Sequence, residues 1–202
     1  MAIKNVVFDI GNVVVKWAPL DIVGRTFGPG EGSELLAANI FQSEIWRELN
    51  KGHYSEQQAK AHFCREQHFT PQEIDHLFVN ITASQSLIEG TLALMDDLKS
   101  AGYHLYALTD NVHEIVAYLK KRHDFWPRFE AAVVSAECGL LKPDPEIYQH
   151  LAKSCAIVPN ESVFLDDVLA NVEGARTEDF HAIQFINAQQ ARHDLAALGL
   201  KF

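Results

Sequence analysis

Three cysteines in 202 residues, Cys64, Cys138 and Cys155, are scattered with no CxxC pair. That is too few and too dispersed for a disulfide framework or a thiolate zinc site. They are expected as buried free thiols in a reducing cytosol. Long apolar runs are missing as well, and none approaches the ~20 residues that a membrane helix needs. Asp9 interrupts the only apolar run near the N-terminus, so no secretory leader is expected there. Positive charge is scarce: 17 Lys and Arg face 27 Asp and Glu, a net charge of -10. That balance argues against nucleic acid or an anionic membrane as a main partner. A small anionic substrate stays compatible, because local cations or a metal override the global field. Repeats and low-complexity stretches are absent too. The expectation is a soluble, cytoplasmic protein, with monomer and homodimer equally compatible.

What is present is a globular composition, 48% hydrophobic, in a chain long enough for a sizeable core. Short apolar runs at 4–9, 103–108, 131–135, 162–165 and 182–186 read as buried strands. Helical spacing occupies roughly 91–101, 112–122, 144–156 and 169–178. Alternating strands and helices with right-handed crossovers predict an α/β fold: a Rossmann-like three-layer α/β/α sandwich on a parallel sheet. Residues 16–88 break the alternation. SELLAANIFQSEIWRELNKG, SEQQAKAHFCREQH and PQEIDHLFVNI carry apolar residues at three- and four-residue spacing, so helices are expected. Ser43 and Ser55 are expected N-caps, and Gln58 after Ser55 fits a capping box. The organisation is therefore a core of 1–15 and 89–202 with a small all-helical cap inserted at 16–88.

Four motifs close or follow the strands in order. VVFDIGNVVV places Asp9 at a strand end, and YHLYALTDN places Thr109 at another. LLKPDPEIY puts Lys142 before a helix, and SVFLDDVLAN ends a strand in Asp166 and Asp167. Open α/β sheets bind ligands at the carboxyl edge, where these residues can converge. Carboxylates suit a hard divalent cation, and Lys and Thr suit a phosphate.

This order and spacing resembles the haloacid dehalogenase (HAD) superfamily over nearly the whole chain. The branch that reads FDxGNV at its first motif, the sugar-phosphate phosphatases, is most similar. The resemblance implies a Mg2+-dependent phosphatase with Asp9 as the nucleophile that forms an aspartyl-phosphate. Thr109, with the backbone N–H groups of Asp110 and Asn111, is implied as the phosphate cradle. Lys142 is implied to neutralise the phosphoryl group and hold Asp9 anionic. The implied metal set is Asp9, the Gly11 carbonyl, Asp167 directly and Asp166 through water, with Asn171 orienting the acidic pair.

Gly11 departs from the family's usual second Asp, the general acid. Loss of such an acid typically costs roughly 10²–10⁴-fold, least for good leaving groups such as sugar 1-phosphates. FDxGNV enzymes share this glycine, so it does not mark a dead enzyme. Val13 replaces the motif's usual Thr. On the cap side, Trp17, Trp46 and Arg47 are candidates for the pocket, with core packing the favoured reading for the tryptophans. His113, just past Thr109, is a candidate to face the site. The other histidines do not make a metal pair: His62 and His68 lie six apart, and His53 and His76 read as solvated or packing residues. Two rivals remain, a dehalogenase-type hydrolase of the same fold and a weakly catalytic protein that binds a phosphorylated metabolite. The acidic pair argues against the first, since dehalogenases resemble one another in a Ser/Asn-rich fourth motif.

Overall fold

The computed structural model describes residues 2–202. Five strands, β1 (Asn5–Phe8), β2 (His104–Thr109), β3 (Ala131–Val134), β4 (Ser162–Asp166) and β5 (His181–Gln184), form one sheet in the order β3-β2-β1-β4-β5. Every pairing is parallel; Phe8 lies opposite Ala107 on one side and Leu165 on the other. The strands are short and almost continuously apolar, as burial on both faces demands.

Alternation along the strands sorts the core into two layers. Val6, Phe8, Leu105, Ala107, Val163 and Leu165 point to one face. There they join α6 (Thr91–Ser100), α7 (His113–Arg122) and α11 (Ala188–Ala197) through Leu94, Leu119 and Leu195. Val7, Tyr106, Leu108 and Phe164 point to the other face, against α9 (Pro145–Ser154) and α10 (Leu169–Thr177). Helices therefore cover both faces, and the three-layer Rossmann-like fold expected from the alternation is the one formed.

Between β1 and α6 run five helices: α1 (Pro19–Phe27), α2 (Ser33–Phe41), α3 (Glu44–Asn50), α4 (Glu56–Glu66) and α5 (Pro71–Ala83). Ile22, Ile40, Leu49, Phe63, Ile74 and Ile81 form their shared interior, continuous with one face of the core. Ser43 caps α3 by accepting the Trp46 N–H, and Ser55 with Gln58 closes the capping box on α4. A second box, Thr70 with Glu73, opens α5. Helix α1 was not expected. Its N-cap, Ala18, offers no side-chain acceptor and Gly24 sits inside it, which weakens the helical signal although Pro19 opens the helix and Gly28 ends it.

The chain enters and leaves this helical unit side by side. Ile88 N–H donates to the Val14 carbonyl, and Lys16 N–H donates to that of Ser86. The buried Thr91 hydroxyl donates to the Val13 carbonyl at 2.8 Å. A short helix after β3, α8 (Ser135–Cys138), meets α3 from below. The three cysteines are free, as expected, but only half-buried. Among the described residues no helix is long and apolar enough to cross a membrane.

Candidate active site

Because the sheet is parallel, β1, β2 and β4 end on one edge, and Asp9, Thr109 and Asp166 stand together there. The Lys142 ammonium holds them: its Nζ lies 3.0 Å from Asp9 Oδ1 and 2.7 Å from Asp166 Oδ2. It also donates to the Leu108 carbonyl at 3.4 Å. Lys142 precedes α9 by three residues rather than opening it; Pro145 occupies the first helical position, where its fixed φ suits the helix.

Asp166 is fully buried and fully engaged. Asn171 Nδ2 donates to both its oxygens at 3.1 Å, and the Val168 N–H donates to Oδ1 at 2.8 Å. Asn171 is held in turn by the buried Tyr148, whose hydroxyl donates to the Asn171 carbonyl at 2.7 Å. Asp167 is freer. Its Oδ2 accepts from Asn12 Nδ2 at 3.0 Å, so Asn171 orients Asp166 and Asn12 orients Asp167. The expectation that Asn171 orients both carboxylates is corrected on this point. Asn12 also accepts the Trp17 N–H through Oδ1, and it is one of four non-glycine residues with positive φ among the described residues, at 52°. Asn tolerates that conformation better than most residues.

Asp9, Asp166 and Asp167 each offer an oxygen within 4.8 Å of the others. Three carboxylates with one ammonium leave an excess of buried negative charge. Burial pushes the Asp9 carboxyl well above its ordinary pKa; Lys142 opposes the rise and Asp166 adds to it. Lys142 thus acts on Asp9 in the direction that favours the anion, against the burial penalty. Burial opposes the charge on Lys142 too, but Asp9, Asp166 and Asp110 together hold its pKa above the ordinary value. Asp167 is raised by burial as well. A hard divalent cation relieves such repulsion and suits an all-oxygen donor set, so these residues fit a magnesium ion.

The cluster forms one wall of a cavity of about 410 Å³. Gly11, Thr109, Asp110 and Asn111 line the same wall. Asn111 does not present its N–H to the cavity: the group donates to Ser135 Oγ at 2.9 Å, which corrects its assignment to the phosphate cradle. Helix α7 is capped at Val112, so Thr109 closes β2 and Asp110 sits in the loop between them, neither of them at the helix N-cap. Asp110 instead supports the lysine loop, its carboxylate accepting the Lys142 N–H, and burial raises its pKa to about 6.

The opposite wall comes from the helical unit. Trp17 and Trp46 stack at 5.9 Å, and Phe41 meets both edge-on. The two tryptophans are core residues and cavity walls at once. Arg47 also lines the cavity, and among the described residues no carboxylate lies within ion-pair distance of it. His113 is exposed on α7 and does not line the cavity, whereas Ile115 of that helix does. Asn12 and Tyr148 stand inside the FDxGNV and LLKPDPEIY motifs but had no role assigned, and Gln85, which also lines the cavity, lies outside every motif.

The model of the haloacid dehalogenase-like hydrolases matches residues 3–177. The chain belongs to that family. It is 23% identical to D-ribitol-5-phosphate phosphatase of Bacteroides thetaiotaomicron, over 97% of this chain and 98% of the relative. It is 26% identical to a sesquiterpene phosphatase of Aspergillus oryzae, over 86% of this chain and 85% of the relative. Against drimenol cyclase of Aspergillus calidoustus, 23% identical, it spans 36% of that protein's length. A HAD family enzyme of Bacteroides thetaiotaomicron, solved with magnesium and inorganic phosphate, shares the fold. Its TM-score is 0.75 at 19% identity, over 90% of this chain and 93% of that one.

Proposed function

We propose that this hydrolase is a magnesium-dependent phosphomonoesterase acting on a small phosphorylated metabolite, a sugar or polyol phosphate. The observation that carries the reading is the Asp9–Asp166–Asp167 cluster, within 4.8 Å beside one ammonium at the wall of a cavity. The ribitol phosphatase relative and the magnesium- and phosphate-bound enzyme of the same fold support it. The core comprises 1–15 and 89–202, and 16–88 is the cap that selects the substrate. The protein works in the cytoplasm.

The residues that would hold the ion are Asp9, Asp167 and the Gly11 carbonyl, with Asp166 acting through water. When bound, Mg2+ neutralises charge on the phosphoryl oxygens. Lys142 adds a second positive charge and keeps Asp9 aligned. The Thr109 hydroxyl and the Asp110 N–H bind the phosphoryl oxygens. An Asp9 oxygen forms a bond to phosphorus as the ester P–O bond breaks. Water then cleaves the aspartyl-phosphate, releasing phosphate and restoring Asp9. Gly11 has no side chain to protonate the leaving oxygen, so that proton comes from solvent.

Phosphate release from p-nitrophenyl phosphate tests the reading. Activity should require Mg2+, vanish in chelator and return with the metal, and Asp9→Asn should abolish it with the fold intact. Full activity in chelator, or more than a few per cent in Asp9→Asn, contradicts the mechanism.

A further inference from the structure

One buried polar group in the cavity wall has no partner. The side-chain carbonyl of Gln85 is sealed from solvent and accepts no hydrogen bond, and Gln85 itself is 6% exposed. Buried acceptors in folded proteins are nearly always paired, so an unpaired one on a cavity-lining side chain marks an amide that the fold leaves uncommitted and free to turn toward a ligand. The backbone around it is fixed. Gln85 N–H donates to the Thr82 carbonyl, and its own carbonyl accepts from His123 Nε2 at 3.0 Å. His123 is braced by stacking on Phe125. The glutamine is thus held by its main chain while its amide stays uncommitted.

The chemistry of that amide selects its partner. Its last torsion is soft and two-fold, so a half-turn exchanges carbonyl and amino group at the cavity wall. A hydroxyl donates and accepts at once and pairs with either end. An alkyl chain pairs with neither and leaves the orphan in place. Trp17, Trp46 and Arg47 line the cavity as well, together with the polar Gln42, Ser43 and Asn50.

We propose that Gln85 is a specificity-determining residue that hydrogen-bonds a substrate hydroxyl. The preferred substrates are then polyhydroxylated phosphate esters rather than alkyl or terpenoid ones. The inference rests on the phosphatase reading and narrows its substrate class.

The test compares D-ribitol 5-phosphate and glucose 1-phosphate with n-pentyl phosphate, in wild type, Gln85→Leu and Gln85→Met, with Mg2+. Wild type should favour the hydroxylated esters. In both variants the ratio of kcat/KM, hydroxylated over pentyl, should fall about 10- to 100-fold, mainly through KM. Thermal stability of Gln85→Leu should match or exceed wild type, because the orphaned group is gone. A ratio unchanged in both variants, or a wild-type preference for the pentyl ester, overturns the inference and leaves the phosphatase reading standing. A wild type inert to every ester, p-nitrophenyl phosphate included, sinks both.

Discussion

At the residue scale the chain turns on what Gly11 lacks. Its φ lies outside the left-handed region, and a Cβ built there meets only Trp17 Cβ, at an ordinary 3.7 Å. An aspartate is therefore tolerated. Gly11→Asp should restore a general acid and help poor leaving groups selectively. Plotted against leaving-group pKa, kcat/KM should fall steeply in wild type and less steeply in the variant, the poorest esters gaining ~10²-fold. Equal slopes would mean that another group already donates the proton. Asp110 carries a pH signature of its own. Burial raises its pKa from 3.8 to about 6, so the native state keeps a proton that the unfolded chain releases. Its contribution is fully favourable below about pH 4 and is lost as pH rises to 6. Asp110→Asn removes that penalty, which amounts to at most about 3 kcal/mol. In metal-free protein the variant's gain in melting temperature should be small at pH 4, about half its full size at pH 5 and largest at pH 7.5; a gain independent of pH would contradict this. The residues on strand ends, Asp9, Thr109, Asp166 and Asp167, were legible because a parallel sheet converts sequence order into one edge. Asn12 was not, since only the fold brings it within 3.0 Å of Asp167, 155 positions away.

At the scale of elements, α10 positions the lysine loop by close approach. A Cβ on Gly174 would lie 2.8 Å from the Pro143 carbonyl oxygen and 3.1 Å from the Tyr148 ring. Alanine in a helix interior gains up to ~1 kcal/mol of propensity. Overpacking against backbone costs ~1–3 kcal/mol, so the clash should win. Gly174→Ala should lower the melting temperature and cut kcat more than it raises KM, because Pro143 adjoins Lys142 and Tyr148 steadies Asn171. A raised melting temperature with unchanged kcat would show the loop to be soft. The strands and the four core helices that were expected, α6, α7, α9 and α10, fell within a residue or two of their bounds, since continuous apolar runs and 3.6-residue spacing are strong local signals, whereas α8 and α11 were not read. Capping boxes divided: Ser55–Gln58 was read, Thr70–Glu73 was passed over although its chemistry is the same. Helix α1 was passed over although Pro19 opens it and Gly28 ends it. The Asn111 N–H was misassigned because its acceptor, Ser135, follows a different strand.

At the scale of the molecule, the helical unit and the sheet edge share the cavity, so their contact sets its shape. Two features hold them together besides the paired crossings. Ser135 Oγ donates to the Asn50 carbonyl at 2.6 Å and accepts the Asn111 N–H, joining α3 to the phosphate loop. Next to it, Gly52 sits at φ 72° with its α-carbon against α8; a Cβ there would lie 2.2 Å from the Ala136 carbonyl oxygen. No side-chain rotation relieves a backbone clash of that depth. Gly52→Ala carries a second penalty, because L-residues resist positive φ. The helical unit must then lift from α8. The expected cost is ~2–3 kcal/mol of stability. The walls that face the phosphoryl group belong to the sheet and stay in place, while Trp46 and Arg47 move with α3. KM should therefore rise about tenfold with kcat changed far less, the pattern of lost substrate binding. Steady-state kinetics beside a melting curve reads both. A fall in kcat at constant KM would place the cap's role in the chemical step instead, through the Ser135 link to Asn111, and Ser135→Ala would then reproduce it without opening the cavity.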